Sequence, residues 1–202
     1  MNKIIECVVV GPIATNCWLY PLDDEPKSEL PPSSMRPCVV IDPGGEPDKI
    51  ISALKKLNWV PRYIFLTHGH WDHITALPEL FDAFAKNEEP PEIYIHRQDV
   101  HHLKDNTLSL HHFEEGDTIG PFKVLHTPGH TQGCVCLHDE KNAILFSGDT
   151  LFHGVHGRTD LPGGNPGQMI ESLKRLLSLN GETVVYPGHE ETTTIAEERP
   201  NY

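Results

Sequence analysis

The sequence has no long apolar run, no excess of basic residues and no cysteine pattern typical of a disulfide or zinc-finger scaffold. No stretch approaches the roughly 20 apolar residues of a membrane span, and the first residues show no small-residue cleavage pattern. The 16 lysines and arginines are outnumbered by 29 acidic residues, and the net charge of −13 argues against a nucleic acid or an anionic membrane as partner. Together these absences predict a cytoplasmic protein.

The five cysteines are an odd number without metal-finger spacing, and they are predicted to be reduced thiols. Cys134 and Cys136 lie two residues apart on a predicted strand, so they face the same side and are expected to be small core residues. The sequence also has no GxSxG motif and no cysteine–histidine pair placed for catalysis. This is consistent with a reaction that uses no nucleophilic side chain.

The apolar spacing predicts one domain, residues 1–202, in which strands predominate. The predicted strands cover residues 4–10, 16–20, 38–42, 62–66, 92–95, 117–125, 134–138, 143–146 and 183–186. Helices are predicted over residues 46–57 and 74–86, over one or two turns at 98–104, and after Asn165-Pro166, where one face consists of Met169, Ile170, Leu173, Leu176 and Leu177. This mixture predicts an α/β (α+β) fold in which sheets pack on each other with helices outside.

Residues 22–37 are rich in proline, serine and charge. They are predicted to be a mobile loop inserted between two hairpin strands, with a lid over a site as the alternative.

The motif THGHWDH, residues 67–73, directly follows the apolar run 63–66 and contains three histidines and one aspartate. Neutral imidazole suits zinc and other first-row ions, and a carboxylate adds a hard anionic ligand. His68 and His70 are two residues apart, so on extended backbone they lean toward one side. Asp72 and His73 then remain for a second ion. A histidine-rich surface loop is the alternative, but it does not explain the ligand-type residues that recur downstream.

Three later stretches repeat the pattern of a strand followed by a turn with a ligand-type residue: HTPGHT (126–131), FSGDTLF (146–152) and YPGHEE (186–191). Gly129, Gly148 and Gly188 precede the polar residue in these turns, where the backbone is expected to bend tightly. The candidate metal ligands are therefore His68, His70, Asp72, His73, His130, Asp149 and His189. Six terminal ligands and one carboxylate able to bridge match a two-metal site, which can provide hydroxide at neutral pH.

With these motifs the chain resembles the metallo-β-lactamase superfamily of hydrolases, and within it the glyoxalase II (hydroxyacylglutathione hydrolase) branch. The HxHxDH signature stands at His68–His73, and the match runs from Thr15-Asn16-Cys17 to Pro187-Gly188-His189. The resemblance implies a four-layer αββα sandwich with two metal ions at one edge. It also implies a first ion held by His68, His70 and His130, a second held by Asp72, His73 and His189, and Asp149 as the bridge.

The same resemblance implies the reaction. A hydroxide shared by two divalent ions attacks the carbonyl of a small thioester, such as S-lactoylglutathione, and Asp72 orients the water or shuttles a proton. Zinc is the expected metal, and iron or manganese also fits histidine and aspartate ligands. The expected partner is the thioester itself, and the chain is expected to be a monomer or a homodimer.

Residues 157–164, GRTDLPGG, follow the bridging aspartate and are expected near the metals. In glutathione-thioester hydrolases of this family the region supplies a lysine and a tyrosine to the substrate, and by position Arg158 and Asp160 stand in their places. Arg158 is expected either to bind a substrate carboxylate in bidentate fashion or to lock the loop by pairing with Asp160. The sequence ends at Tyr202 without the carboxyl-terminal helical domain of the long glyoxalase II enzymes. The resemblance therefore implies thioester hydrolysis but leaves glutathione specificity open.

Three other functions fit the same motif. One is an iron-dependent persulfide dioxygenase, a superfamily relative that also has HxHxDH, although the glycine-rich loop at 162–164, without cysteine, favours the hydrolase. A lactone or ester hydrolase on the same scaffold is the second. A non-catalytic metal-binding protein is the third, and the complete ligand set argues against it.

The remaining histidines have plainer interpretations. His126 opens the HTPGHT turn and is expected to be a structural hydrogen-bonding residue. His153 and His156 flank the site loop and are candidates to line it. The paired histidines of a predicted loop region, which could hold a third metal only as the less favoured alternative, are His101, His102, His111 and His112.

Overall fold

Twelve strands form two six-stranded sheets in the computed structural model, which describes residues 4–22, 35–87, 89–103 and 107–202. The first sheet comprises β1 (Glu6–Val10), β2 (Thr15–Pro21), β3 (Arg36–Ile41), β4 (Trp59–Phe65), β5 (Glu92–His96) and β6 (Leu110–Phe113). The second sheet comprises β7 (Thr118–Ile119), β8 (Phe122–His126), β9 (Val135–Asp139), β10 (Ile144–Gly148), β11 (Val184–Pro187) and β12 (Thr193–Thr194).

In the first sheet, β1, β2 and β3 pair antiparallel, whereas β3, β4, β5 and β6 pair parallel. The parallel pairs are connected through helices, as parallel strands require: α1 (Pro47–Leu57) lies between β3 and β4, and α2 (Trp71–Ile74) and α3 (Leu77–Phe84) lie between β4 and β5. Because the strands run parallel, the carboxyl ends of β3, β4 and β5 meet at one edge of the sheet.

The second sheet is antiparallel except for β10 and β11, which are joined through α4 (Pro166–Leu177). Asn165 caps α4 by accepting a hydrogen bond from the Gln168 N–H, and Pro166 occupies the first turn, where its missing N–H costs no hydrogen bond. A short helix, α5 (Ile195–Glu198), follows β12 and starts with a capping box formed by Thr194 and Glu197.

The apolar residues form three buried clusters, and the strand alternation explains why. Residues at odd and even positions of one strand point to opposite faces, so Val39 packs between the sheets while Val40 packs under α1 and α3. Phe146 of β10 likewise faces the first sheet, whereas Leu145 faces α4. The order of layers is therefore helix, sheet, sheet, helix, and the predicted four-layer αββα sandwich is confirmed.

Two predicted elements are split in the structure. The helix expected at 74–86 begins only at Leu77, because Pro78 lies in the first turn of α3 and the Ala76 N–H donates to the Pro43 carbonyl instead of continuing α2. The strand expected at 117–125 is the hairpin of β7 and β8, turned at Gly120 and Pro121; Gly120 has a φ of 57°, a conformation that favours glycine.

Other sequence predictions also need correction. His111 and His112 lie on the edge strand β6 and not in a loop. Ile170, placed on the buried face of α4, is 52% exposed, while Met169, Leu173 and Leu176 are buried as expected. Cys134 and Cys136 are both buried, in agreement with their prediction as core residues.

Part of the predicted loop at 22–37 and the end of the predicted turn at 98–104 lie outside the described residues, at 23–34 and 104–106. From Arg97 to His102 the chain forms a 3₁₀ helix. Within the described ranges, every helix is too short or too polar to cross a membrane.

Candidate metal centre

The four ligand-bearing turns meet at one edge of the sandwich. The motif 67–73 follows β4, Asp149 follows β10, His189 follows β11, and His130 lies in the turn between β8 and β9. Main-chain hydrogen bonds tie these turns together across the two sheets, from the Val135 N–H to the Thr67 carbonyl (2.9 Å) and from the Asn16 N–H to the Gly188 carbonyl (2.7 Å). The backbone of both sheets therefore fixes the relative positions of the side chains.

The structure brings all seven candidate ligands together in two adjacent groups. In one group the ligand atoms of His68, His70 and His130 lie within 4.8 Å of one another, and in the other those of Asp72, His73 and His189 do so. Asp149 lies between the groups. Its Oδ1 is 3.3 Å from Nε2 of His73, and its Oδ2 is 3.4 Å from Nε2 of His130. A carboxylate in that position can contact two ions at once.

The buried ligand atoms have the chemistry of a metal site. Within the part of the chain that the structure describes, the Nε2 atoms of His68, His73 and His130 and Oδ1 of Asp149 are buried and make no hydrogen bond. A buried polar atom without a partner costs free energy, so four of them converging on one place need a common explanation. Divalent ions supply it, because imidazole nitrogen and carboxylate oxygen are ordinary ligands of zinc, iron and manganese. The residues present therefore fit two metal ions.

Asp42, which the sequence interpretation missed, orients an imidazole in each group. Its Oδ2 accepts hydrogen bonds from Nδ1 of His73 (2.9 Å) and from the Thr67 hydroxyl (2.7 Å). Because that hydroxyl donates to Asp42, it accepts from Nδ1 of His68, at 3.1 Å. Both imidazoles then have their proton on Nδ1 and a free lone pair on Nε2, the arrangement that second partners impose on metal-binding histidines.

His130 is oriented by a backbone carbonyl. Its Nδ1 lies 2.7 Å from the carbonyl oxygen of Arg158, so the proton is on Nδ1 and the lone pair of Nε2 faces Asp149. The main chain of Arg158 therefore contacts the centre directly, independently of the contacts of its side chain.

Burial and charge separate the histidines into two electrostatic classes. Burial, with the neighbouring His130, lowers the pKa of His70 to about 4, and burial with its histidine neighbours lowers the pKa of His68 well below its usual range. For His73, burial alone would lower the pKa, but the Asp149 and Asp42 carboxylates outweigh it and raise the pKa. His68 and His70 are therefore neutral imidazoles at neutral pH, whereas His73 lies in a field that favours positive charge.

Asp72 contacts side chains from β2 and from the turn after β11. Its Oδ2 accepts a hydrogen bond from the Thr15 hydroxyl at 3.2 Å and lies 3.2 Å from Nε2 of both His73 and His189. Burial opposes ionisation, yet the contacts with His189 and His73 lower its pKa below the usual range. Asp72 is therefore a carboxylate at neutral pH.

Asp99 is a second buried acid that the sequence interpretation missed. It accepts hydrogen bonds from the N–H of Gly69 (2.9 Å), the hydroxyl of Thr131 (2.7 Å) and the N–H of Gly133 (2.8 Å). It thus links the HxH turn to the HTPGHT turn. The only signal in the sequence was an acid close after a strand, which does not reveal contacts 30 or more residues away along the chain.

The three glycines of the later turns have different reasons for their presence. Gly129 and Gly148 have φ values of 147° and 49°, which favour glycine, as the turn prediction requires. The chain also bends at Gly188, as predicted, but the φ of Gly188 is not positive. Gly188 is needed for space, because an added Cβ would clash with Oδ1 of Asp149 and lie 2.7 Å from Cε1 of His73.

The side chains of Arg158 and Asp160 pair with each other. Nε and Nη2 of Arg158 donate to Oδ1 and Oδ2 of Asp160, both at 2.7 Å, and the two side chains are 61% and 67% exposed. An exposed pair of this kind contributes little to folding and exchanges readily with another anion. The geometry agrees with the pairing alternative and leaves the guanidinium accessible.

Most of the remaining histidines lie outside the centre. His126 contacts the Gln132 carbonyl through Nε2 (2.9 Å) and stacks on His96, as expected of a structural residue. His153 pairs with Glu191 at 2.7 Å, in an exposed position. Among the described residues, no group of three converging ligand atoms includes His101, His102, His111 or His112.

Comparison with known proteins gives one family. The sequence model of the Metallo-beta-lactamase superfamily matches residues 34–189. The chain is 36% identical to the probable metallo-hydrolase YqgX of Bacillus subtilis, over 95% of this chain and 93% of the relative. It is 30% identical to the hydroxyacylglutathione hydrolase GloC of Haemophilus influenzae, over 96% and 94%.

A solved structure agrees with the sequence match. The crystal structure of TTHA1623 in a di-iron-bound form superposes with a TM-score of 0.82 at 34% identity, and the match covers 96% of each chain. The similarity therefore extends over both sheets and all four ligand-bearing turns.

Proposed function

We propose that the chain, which belongs to the metallo-beta-lactamase superfamily, is a dinuclear metal hydrolase of small acyl thioesters, such as S-lactoylglutathione. The superfamily relative YqgX is a probable metallo-hydrolase, and GloC is a hydroxyacylglutathione hydrolase. The observation that supports the proposal most is the pair of ligand groups joined by the buried Asp149, with four unpartnered ligand atoms directed into one space.

His68, His70 and His130 would hold one ion, Asp72, His73 and His189 the other, and Asp149 would contact both. When bound, two such ions lower the pKa of water and polarise a carbonyl oxygen. Zinc is proposed as the metal, and iron also fits the same ligands, since TTHA1623 has a di-iron-bound form.

Asp72 is the carboxylate that can orient the attacking water. Asp72 is ionised and held by Thr15, so it can accept a hydrogen bond from an attacking water and fix its direction. No cysteine is available as a nucleophile in the centre, because burial raises the pKa of Cys134 and Cys136 above that of a free thiol. The leaving group of a thioester is a thiolate, a weak base that needs little help from an acid.

Hydrolysis of S-lactoylglutathione and of a simple acetyl thioester tests the proposal. His130→Ala and Asp149→Ala are each expected to lose bound metal and at least about 1,000-fold of kcat/KM, because the first removes a ligand and the second removes the carboxylate between the groups. His111→Ala is the matched control, since His111 lies on β6 outside both groups. Full activity in either site variant would contradict a two-metal mechanism.

An iron-dependent persulfide dioxygenase is the second candidate. The di-iron-bound form of the similar TTHA1623 supports the choice of iron, whereas the dioxygenase itself is expected to use one iron per chain. Oxygen uptake on glutathione persulfide separates this reaction from hydrolysis, which consumes no oxygen.

A further inference from the structure

An apolar cavity of about 230 Å³ opens beside the metal centre, between α2, the start of α3 and the segment after β5. Its apolar walls are the side chains of Trp71, Ile74, Leu77, Pro78, Leu103 and Leu108. A cavity of this volume has room for an apolar group of several carbons. We call it the acyl pocket.

The acyl pocket shares its wall with the ligand motif. Trp71 stands between His70 and Asp72 in the sequence, and Ile74 directly follows His73. His102, which also lines the pocket, lies with its ring 5.8 Å from that of His70. It packs so closely on Gly69 that a Cβ there would lie 2.7 Å from Cδ2 of His102. The pocket therefore borders the ligand motif through Trp71, Ile74 and His102.

The lining residues that the structure describes include no acidic residue, lysine or arginine to bind a charged ligand. The Thr75 hydroxyl already donates to the Trp71 carbonyl, and the His102 side chain packs against Gly69. Trp71 is a large apolar side chain that remains 56% exposed at the rim. An exposed apolar surface beside a polar centre is typical of a binding site for an apolar group.

The opposite kind of surface lies on the His130 side of the centre. There the carbonyl of Arg158 holds His130, and the exposed Arg158–Asp160 pair presents charge to the solvent. A substrate with its reacting carbonyl at the metal ligands therefore meets a charged loop on one side and an apolar cavity on the other.

We propose that the acyl pocket binds the acyl chain of the substrate, so that the preferred thioesters have an apolar acyl group of several carbons and a polar thiol. This inference rests on the proposed function. It goes further by assigning the acyl half of the substrate to the apolar walls formed by Trp71, Ile74, Leu77, Pro78, Leu103 and Leu108.

A series of N-acetylcysteamine thioesters tests the proposal, because this neutral thiol leaves the acyl group as the only variable. From acetyl to hexanoyl, kcat/KM is expected to rise about fourfold per methylene, or about 250-fold over four methylenes, and to level off once the pocket is full. A second readout is binding of the ketone analogues, in which CH₂ replaces sulfur. Binding should shift the fluorescence of Trp71, since Trp18 and Trp59 are buried.

Two variants narrow the pocket from different walls. Leu108→Trp and Thr75→Trp are each expected to lower the hexanoyl-to-acetyl ratio of kcat/KM at least tenfold. Ile170→Trp is the control, because Ile170 is exposed on α4, on the other outer face of the sandwich, and this variant should keep the ratio. Thermal unfolding and metal content of each variant show that it is folded and loaded.

The outcomes distinguish the two proposals. Thioester hydrolysis with no dependence on acyl length, or with a ratio that neither variant lowers, would overturn the acyl pocket and leave the proposed function intact. Absence of hydrolysis for every thioester, with ketone binding that still tightens with chain length, would overturn the hydrolase and support the pocket.

Discussion

At the scale of single residues, Asp42 determines the proton positions of two imidazoles. Its Oδ2 serves both Nδ1 of His73 and the Thr67 hydroxyl, and its Oδ1 accepts from the Thr67 N–H at 2.7 Å. All three groups around this carboxylate are donors. One buried acid, remote in the sequence from the histidine motif, therefore orients one imidazole in each candidate ligand group.

Asp42→Asn tests this role. An asparagine has only one acceptor oxygen, so its NH₂ group must face at least one of the three donors, and His68 or His73 loses its orientation. Metal affinity is expected to fall about 10- to 100-fold, measured by titration with a competing chelator. Asp139→Asn is the matched control, because Asp139 is equally buried but contacts Tyr20 and Asn142 away from the centre. Equal metal affinity in the two variants would refute a role for Asp42 in orienting ligands.

Arg158 and Asp160 are predicted to act in opposite directions on substrate binding. Arg158→Ala removes a cation, and the KM for S-lactoylglutathione is expected to rise roughly tenfold with a smaller change in kcat. Asp160→Ala releases the guanidinium from its bidentate pair and is expected to lower the same KM. The measurement is a pair of steady-state curves with metal content checked.

If the pair instead only locks the loop, both substitutions should act alike. Each would then disturb the Arg158 carbonyl that holds His130, and metal content would fall in both. That result would assign Arg158 to structure.

At the scale of elements, most strands could be predicted from the sequence because they are short apolar runs bounded by turn residues. The start of the helix after the motif could not be predicted from the sequence. Pro78 signalled a helix start at residue 77, but the separation of α2 from α3 also depends on the hydrogen bond from Ala76 to Pro43, a tertiary contact. The strand β6 was missed because its two central histidines gave no apolar alternation, although Leu110 and Phe113 pack against the core clusters.

The turn after β11 approaches the centre so closely that only glycine fits. Gly188→Ala is expected to push Asp149 and His73 apart, and metal content should fall with a loss of activity. The control is Gly167→Ala in α4, where the nearest atom would lie 3.4 Å from the new Cβ and alanine favours the helix by about 0.5–1 kcal/mol. Elemental analysis and thermal unfolding of both variants give the comparison. Wild-type metal content in Gly188→Ala would show that the turn can relax.

At the scale of the whole molecule, the candidate metal centre lies at one edge of the sandwich, where turns from both sheets meet. The three apolar clusters hold the sheets and helices together away from it, and the ligand-bearing turns are fixed by hydrogen bonds between the sheets. The motifs allowed the seven candidate ligands and the layer order to be predicted. The acids Asp42 and Asp99 could not be predicted, because their contacts arise only when distant turns pack together.

The metal content of protein purified without chelator, measured together with its reaction, tests the central claim most directly. The dinuclear hydrolase proposed here should contain about two divalent ions per chain and hydrolyse S-lactoylglutathione or a related thioester without oxygen uptake. One iron per chain, with oxygen uptake on glutathione persulfide and no thioester hydrolysis, would contradict it.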